Sequence, residues 1–186
     1  MIGPEFPDVL DAAASGEEEA FGRLWRDLQP RLLRYFMVAA PAVAEDLASE
    51  TWLGVVRGLD RFRGNEPAFR AWVFTIARHE LLDWRRRAAR RATEDLSVNG
   101  LTDQPAPDDP AAAALEGIST RSALAQVATL PADQAEAIVL RVVAGLGVDR
   151  VAAIMGKRPG TVRVLTHRGL RRLAERLGAD HIRGMV

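Results

Sequence analysis

From Ala92 to Ser119 the chain carries six acidic side chains, no basic one and three prolines. Alanine- and leucine-rich patterns of helical period stand on both sides. A stretch of this composition buries too little apolar surface to form a core of its own. A structureless connection of this length is also uncommon inside one compact domain. It therefore predicts an all-α chain in two helical domains, 1–91 and 120–186, joined by a flexible acidic linker over 92–119. Each flank is large enough to hold a core.

The formal net charge of zero hides a segregation. Residues 1–91 carry 14 acidic and 14 basic side chains, whereas residues 120–186 carry 5 acidic and 11 basic ones. Only Lys157 among the 25 basic residues is lysine. Arginine suits bidentate contacts to phosphates and base edges, although a GC-rich genome produces the same bias. With no cysteine in the chain, disulfides and thiolate zinc sites are excluded. Aromatics at 6% and the abundance of alanine and leucine favour helix over sheet. No run of eighteen apolar residues and no leader pattern occurs, so a cytoplasmic protein without membrane insertion is expected. No cofactor or metal is expected.

Residues 1–16 are expected to be loose, with Ser15 as the N-cap of the first helix and Glu18 completing a capping box. Ala20, Phe21, Leu24, Leu28, Leu32 and Leu33 recur at helical spacing, and Pro30 within them predicts a break or a new start. A second helix follows Pro41, with Leu47, Thr51, Val55 and Leu59 as its apolar stripe and Glu45, Asp46, Ser49 and Glu50 opposite. The turn-rich segment 61–67 leads to a third helix from about Ala68, with Phe69, Trp72, Val73, Ile76, Leu81 and Trp84 on its apolar face. In the C-terminal part, Pro131 opens a helix and Gly145 and Gly147 mark a turn. Helices over Val148–Met155 and about Pro159–Leu177 are then hinged at Gly156-Lys157-Arg158. That spacing is a helix-turn-helix, whose second helix would enter a DNA major groove.

Two basic regions follow. Thr161, Arg163, His167, Arg168, Arg171 and Arg172 lie along the second helix of the hinge. Arg78, Arg85, Arg86, Arg87, Arg90 and Arg91 crowd the end of the 68–91 helix, five of them within seven residues. A helix C-terminus accounts for two or three cations; a phosphate-facing surface accounts for the density. Arg61, Arg63, Asn65 and Glu66 sit in a polar loop that could accept a flipped base. An enzyme has little support. His79-Glu80 lacks the second histidine of a zinc-hydrolase helix, and neither a phosphate-binding glycine loop nor a serine elbow occurs.

Together these segments resemble a bacterial RNA polymerase sigma factor of the extracytoplasmic-function (ECF) group of the sigma-70 family. GEEEAFGRLW, AEDLASETWLGVVRGLDRF, FRAWVFTIARHELLDWRRR and LPADQAEAIVLRVVAGLGVDRVAAIMGKRPGTVRVLTHRGLRRL carry the resemblance, over roughly 15–91 and 120–177. It implies a non-enzymatic subunit that binds core polymerase through its beta and beta-prime subunits, directs it to promoters and helps melt the DNA. Asp46, Glu50, Trp52 and Arg57 would meet the polymerase clamp. Arg61, Arg63, Asn65, Arg78, His79, Leu82, Asp83, Arg85 and Arg86 would meet the downstream promoter element. Arg158, Pro159, Thr161, Arg163, Val164, His167, Arg168 and Arg171 would meet the upstream element. The acidic linker would occupy the polymerase cleft, and an anti-sigma factor would be a further partner. The chain departs from the family pattern in having Ser49 before the Glu-Thr pair and Arg158 where the recognition helix commonly has a serine cap. The alternative is a dimeric helix-turn-helix regulator that binds duplex DNA without polymerase.

Overall fold

The computed structural model describes residues 1–95 and 116–183, with side chains for 1–91 and 120–176. Among the described residues the regular structure is helical throughout, with no strand.

The first residues depart from the expectation. Helix α1 spans Phe6–Ala14, and Phe6, Val9, Leu10 and Ala13 repeat at i, i+3, i+4 and i+7, all buried. Phe6 lies 5.7 Å from Phe69 between ring centroids. The Glu66 carboxylate accepts the N–H groups of Ile2 (3.1 Å) and Gly3 (2.9 Å), so the start of this segment is anchored on the helix that begins at Glu66. Ser15 does not open the next helix. It is the C-cap of α1, its Oγ donating to the Asp11 carbonyl at 2.9 Å. Gly16, at φ 93°, reverses the chain, and the Glu17 N–H closes on the Ala12 carbonyl at 3.0 Å. The capping box is therefore absent, and Glu17 takes the N-cap position of α2 without a side-chain bond.

Helix α2 runs Glu18–Ala39 straight through Pro30. The proline forfeits one backbone bond, but its ring is exposed. Leu24, Leu28, Leu32, Tyr35 and Phe36 form a continuous buried face across it, and that packing holds the helix together. Helix α3 (Ala44–Gly58) buries Leu47, Thr51 and Val55, with Leu59 following. The Thr51 hydroxyl is satisfied inside the core by the Leu47 carbonyl at 2.7 Å. Helix α4 (Glu66–Asp95) begins two residues before Ala68, because Asn65 caps it: Oδ1 accepts the Ala68 N–H at 3.0 Å. Phe69, Val73, Phe74, Ala77 and Leu81 form its fully buried stripe, while Trp72, Ile76 and Trp84 are half-buried at its edge.

Helix α5 spans Glu116–Ala128. Helical structure thus enters the segment 92–119 from both sides, and the rest of that segment, 96–115, lies outside the described residues together with its reading as a strap in the polymerase cleft. Helix α6 (Ala132–Ile138) continues as a π-helical turn over Val139–Val143. Helix α7 spans Val148–Met155 and α8 spans Pro159–Arg183, six residues beyond the expected Leu177.

The two helical groups do not stand apart. One apolar cluster runs from Phe6 in α1 through Tyr35 and Phe74 to Val139, Leu140, Val151 and Val162. Helix α2 packs against α5, α6 and the π turn, and α4 packs against α7. Polar bonds follow the same seam. Arg31 donates to the Val143 carbonyl at 3.1 Å, and Arg78 and Tyr35 both donate to Glu136.

Candidate nucleic-acid interface

The hinge is built as a helix-turn-helix requires. Gly156 takes the left-handed conformation, φ 64° and ψ 35°, which a residue with a Cβ adopts only at a cost. The Lys157 N–H then reaches back to the Ala152 carbonyl at 2.9 Å, the bond that closes a Schellman cap. Pro159 supplies the first residue of α8. Lys157 is tied to Asp133 of α6 at 2.9 Å, and Val162, fully buried, pins the start of α8.

That pinning turns one face of α8 outward. Arg158, Pro159, Thr161, Arg163, Val164, His167, Arg168 and Arg171 are all exposed, and the structure brings them onto a single surface. Arg171 also donates to Glu175 at 2.8 Å, one turn on. Arg172 points back instead, donating to Gln134 at 3.2 Å.

The residues expected at the downstream element separate into three groups. Arg78, Leu82 and Arg85 line one groove of about 380 Å³, whose other wall is Leu130, Ala132, Asp133 and Glu136. His79, Asp83 and Arg86 lie beside it. Asp83 and Arg86 form an ion pair, and the Arg86 hydrogen bond holds the Asp83 carboxyl below its ordinary range. Arg61, Arg63 and Asn65 sit before the other end of α4, about 20 Å from Arg78 at helical rise. There Arg63 folds onto its own loop, donating to the carbonyls of Asp60 (2.8 Å) and Phe62 (2.7 Å). The side-chain oxygen of Asn65 serves as the helix cap. Phe62 stacks on Trp72 at 5.1 Å between centroids, which stiffens the loop.

On α3, Asp46, Glu50 and Arg57 are exposed on one side of the helix. Trp52 is placed otherwise: it is buried, its indole N–H donating to Gln29 at 2.7 Å and its ring edge-on to Phe21. The apolar surface presented outward comes instead from Leu53 and Val56, 51% and 56% exposed. Two large aliphatic residues on the face opposite the Leu47–Val55 stripe were a readable signal in the sequence.

Tyr35, Arg31 and Glu136 were not singled out by sequence. Tyr35 is 1% exposed. Burial, and next the Glu136 carboxylate, push its phenol well above the ordinary tyrosine range. Nothing in the sequence links Tyr35 to a glutamate 101 positions away.

Comparison with known proteins identifies the family. Residues 20–91 match the sigma-70 region 2 family and residues 120–173 match sigma-70, region 4. The chain is 35% identical over 179 residues to the ECF RNA polymerase sigma factor BldN of Streptomyces coelicolor, covering 93% of this chain and 66% of BldN. It is 30% identical over 186 residues to the ECF sigma factor SigD of Mycobacterium tuberculosis, covering 96% of this chain and 87% of SigD. The solved structure of RpoE from Bartonella quintana, in complex with the anti-sigma factor NepR, superposes with a TM-score of 0.65 at 27% identity over 86% of this chain and 98% of that one. The chain belongs to the sigma-70 family, as an RNA polymerase sigma factor of the ECF group.

Proposed function

We propose that this sigma factor divides its work among three surfaces. The outer face of α3, with Asp46, Glu50, Leu53, Val56 and Arg57, docks on the beta and beta-prime subunits of core polymerase. The α4 surface of Arg78, His79, Leu82, Asp83, Arg85 and Arg86, with the loop residues Arg61, Arg63 and Asn65, receives the downstream element as it melts. The α8 face from Arg158 to Arg171 reads the upstream element in the major groove. The chain is a regulatory subunit, with no chemistry of its own, acting in the cytoplasm alongside polymerase. An anti-sigma factor is a further partner, by analogy with the Bartonella complex.

The observation that supports this reading is the exposed, arginine-rich face of α8. Arg163, His167, Arg168 and Arg171 are exposed directly after a rigid glycine turn, the geometry that delivers side chains to base edges. Run-off transcription tests it. Mixed with core polymerase and genomic promoter fragments, the protein gives starts at defined positions. Absence of any start, together with tight duplex binding by a dimer of the chain alone, would favour the helix-turn-helix regulator instead.

A further inference from the structure

The groove on α4 assigned to the downstream element is walled off on one side by the protein itself. Its far wall is the start of α6, and the contact is made through one carboxylate. Glu136 Oε1 accepts from Arg78 Nε at 2.8 Å and from the Tyr35 hydroxyl at 3.2 Å. The side chains of Arg78 and Glu136 are 21% and 17% exposed, and Tyr35 is closed off from water. Leu82 and Arg85 face Leu130, Ala132 and Asp133 across the same groove. On Arg78, the Glu136 carboxylate stands where a DNA phosphate or base acceptor would stand. Both are oxygen acceptors for the guanidinium, and Glu136 already takes the Nε–H, so a DNA acceptor approaching from the α6 side competes with it. The α8 face, by contrast, stays open to solvent.

From this we infer that Glu136 is the catch of a closed state, in which α6 covers the downstream-reading groove and leaves the upstream-reading helix free. The inference rests on the assignment of Arg78 and its neighbours to the downstream element. Closing also buries apolar surface along α2 and α4, so the catch biases an equilibrium between closed and open forms rather than creating it. A promoter reader closed this way meets duplex through α8 but holds back from single strands until α6 is pulled off α4.

The test uses the full chain. Because it contains no cysteine, exposed Glu18 and Ala153, one on each helical group, can be replaced by cysteines and labelled with a donor and acceptor pair. Glu136→Ala is expected to widen the label separation. It should also raise affinity for a random-sequence single-stranded DNA pool about tenfold, the scale of losing one charge-assisted bond. The near-isosteric Glu136→Gln falls between, and guards against a folding artefact, which circular dichroism checks. The exchange Arg78→Glu with Glu136→Arg restores the short separation and keeps single-strand affinity low, since the groove is closed again and Arg78 is gone. An unchanged separation in both Glu136 variants, with the fold intact, overturns the catch. A widened separation with unchanged DNA binding overturns the masking. Run-off transcription with Arg86→Ala, a change beside the groove that leaves Glu136 and Arg78 in place, scores the downstream assignment independently: lost starts support it and unchanged starts overturn it.

Discussion

The only tyrosine in the chain is the one at the seam, and its environment makes a pH prediction with an unambiguous reporter. Burial raises the Tyr35 phenol above 10.0, and the adjacent Glu136 carboxylate adds to the effect. The folded form therefore holds this proton more tightly than the unfolded form does. Stability from it is complete below pH 10.0 and is lost as pH rises toward the folded value. Tyrosinate absorbance should thus appear only together with loss of structure, and Tyr35→Phe should flatten the melting temperature between about pH 9 and about pH 11. Asp83 has the opposite sign. Its lowered carboxyl, held by Arg86, favours the folded state above the ordinary carboxylate range, and that contribution fades as pH falls through the lowered value. Trp52 separates packing from docking. Trp52→Ala should cost about 3–5 kcal/mol in urea denaturation, while Trp52→Phe keeps most of the packing and loses the bond to Gln29. Polymerase affinity should follow that stability loss, whereas Leu53→Asp should weaken polymerase binding with the fold unchanged. On α8, Arg163→Ala should leave stability within about 0.5 kcal/mol. Binding to a promoter duplex should fall by about 1–3 kcal/mol if Arg163 reads a base, or its salt slope by about one if it meets a phosphate.

At the scale of elements, close approach decides where a small residue is required. A Cβ on Gly54 of α3 would lie 2.8 Å from Cγ2 of Ile76 on α4. Alanine gains about 1 kcal/mol of helix propensity over glycine, but a β-branched isoleucine is stiff at χ1 and overpacking costs about 1–3 kcal/mol. Gly54→Ala should therefore not stabilise the protein, and in a double-mutant cycle with Ile76→Ala the two losses should sum to less than their parts. The sequence made α3 legible because Leu47, Thr51, Val55 and Leu59 repeat without interruption, and made the hinge legible because Gly156 stands between two periodic runs. Helix α1 is readable in principle from Phe6, Val9, Leu10 and Ala13, whose period the expectation of a loose 1–16 did not use. Pro30 was misleading for an energetic reason. A proline's local cost was visible, whereas the buried face that outweighs it was spread over both sides. The exposed arginines of α8 were legible as a single helix face. The grouping of Arg78, Leu82 and Arg85 against α6 was not, because it depends on contacts between residues 58 positions apart.

At the scale of the whole molecule, the seam makes the two groups one cooperative body, and the chain carries its own means of testing that. All four tryptophans, Trp25, Trp52, Trp72 and Trp84, lie in the N-terminal group. Tryptophan fluorescence therefore follows that group alone, while far-ultraviolet circular dichroism follows helices in both. If the shared apolar cluster and the bonds from Arg31 and Arg78 couple the groups, the two signals should lose structure together in urea, the mark of a two-state transition. Arg31→Ala removes the bond to the Val143 carbonyl, and Glu136→Ala removes the acceptor shared by Arg78 and Tyr35. Neither residue is needed to fill either core. The double variant should pull the transitions apart, because only the apolar contact then joins the groups. Arg31→Ala alone should shift both curves while keeping them coincident, since the Glu136 anchor and the apolar contact remain, whereas Glu136→Ala alone, which favours the open form, should begin to separate them. Coincident curves in the double variant would mean that apolar burial alone couples the groups. Separate curves in the unmodified protein would mean that the seam is too weak to join them.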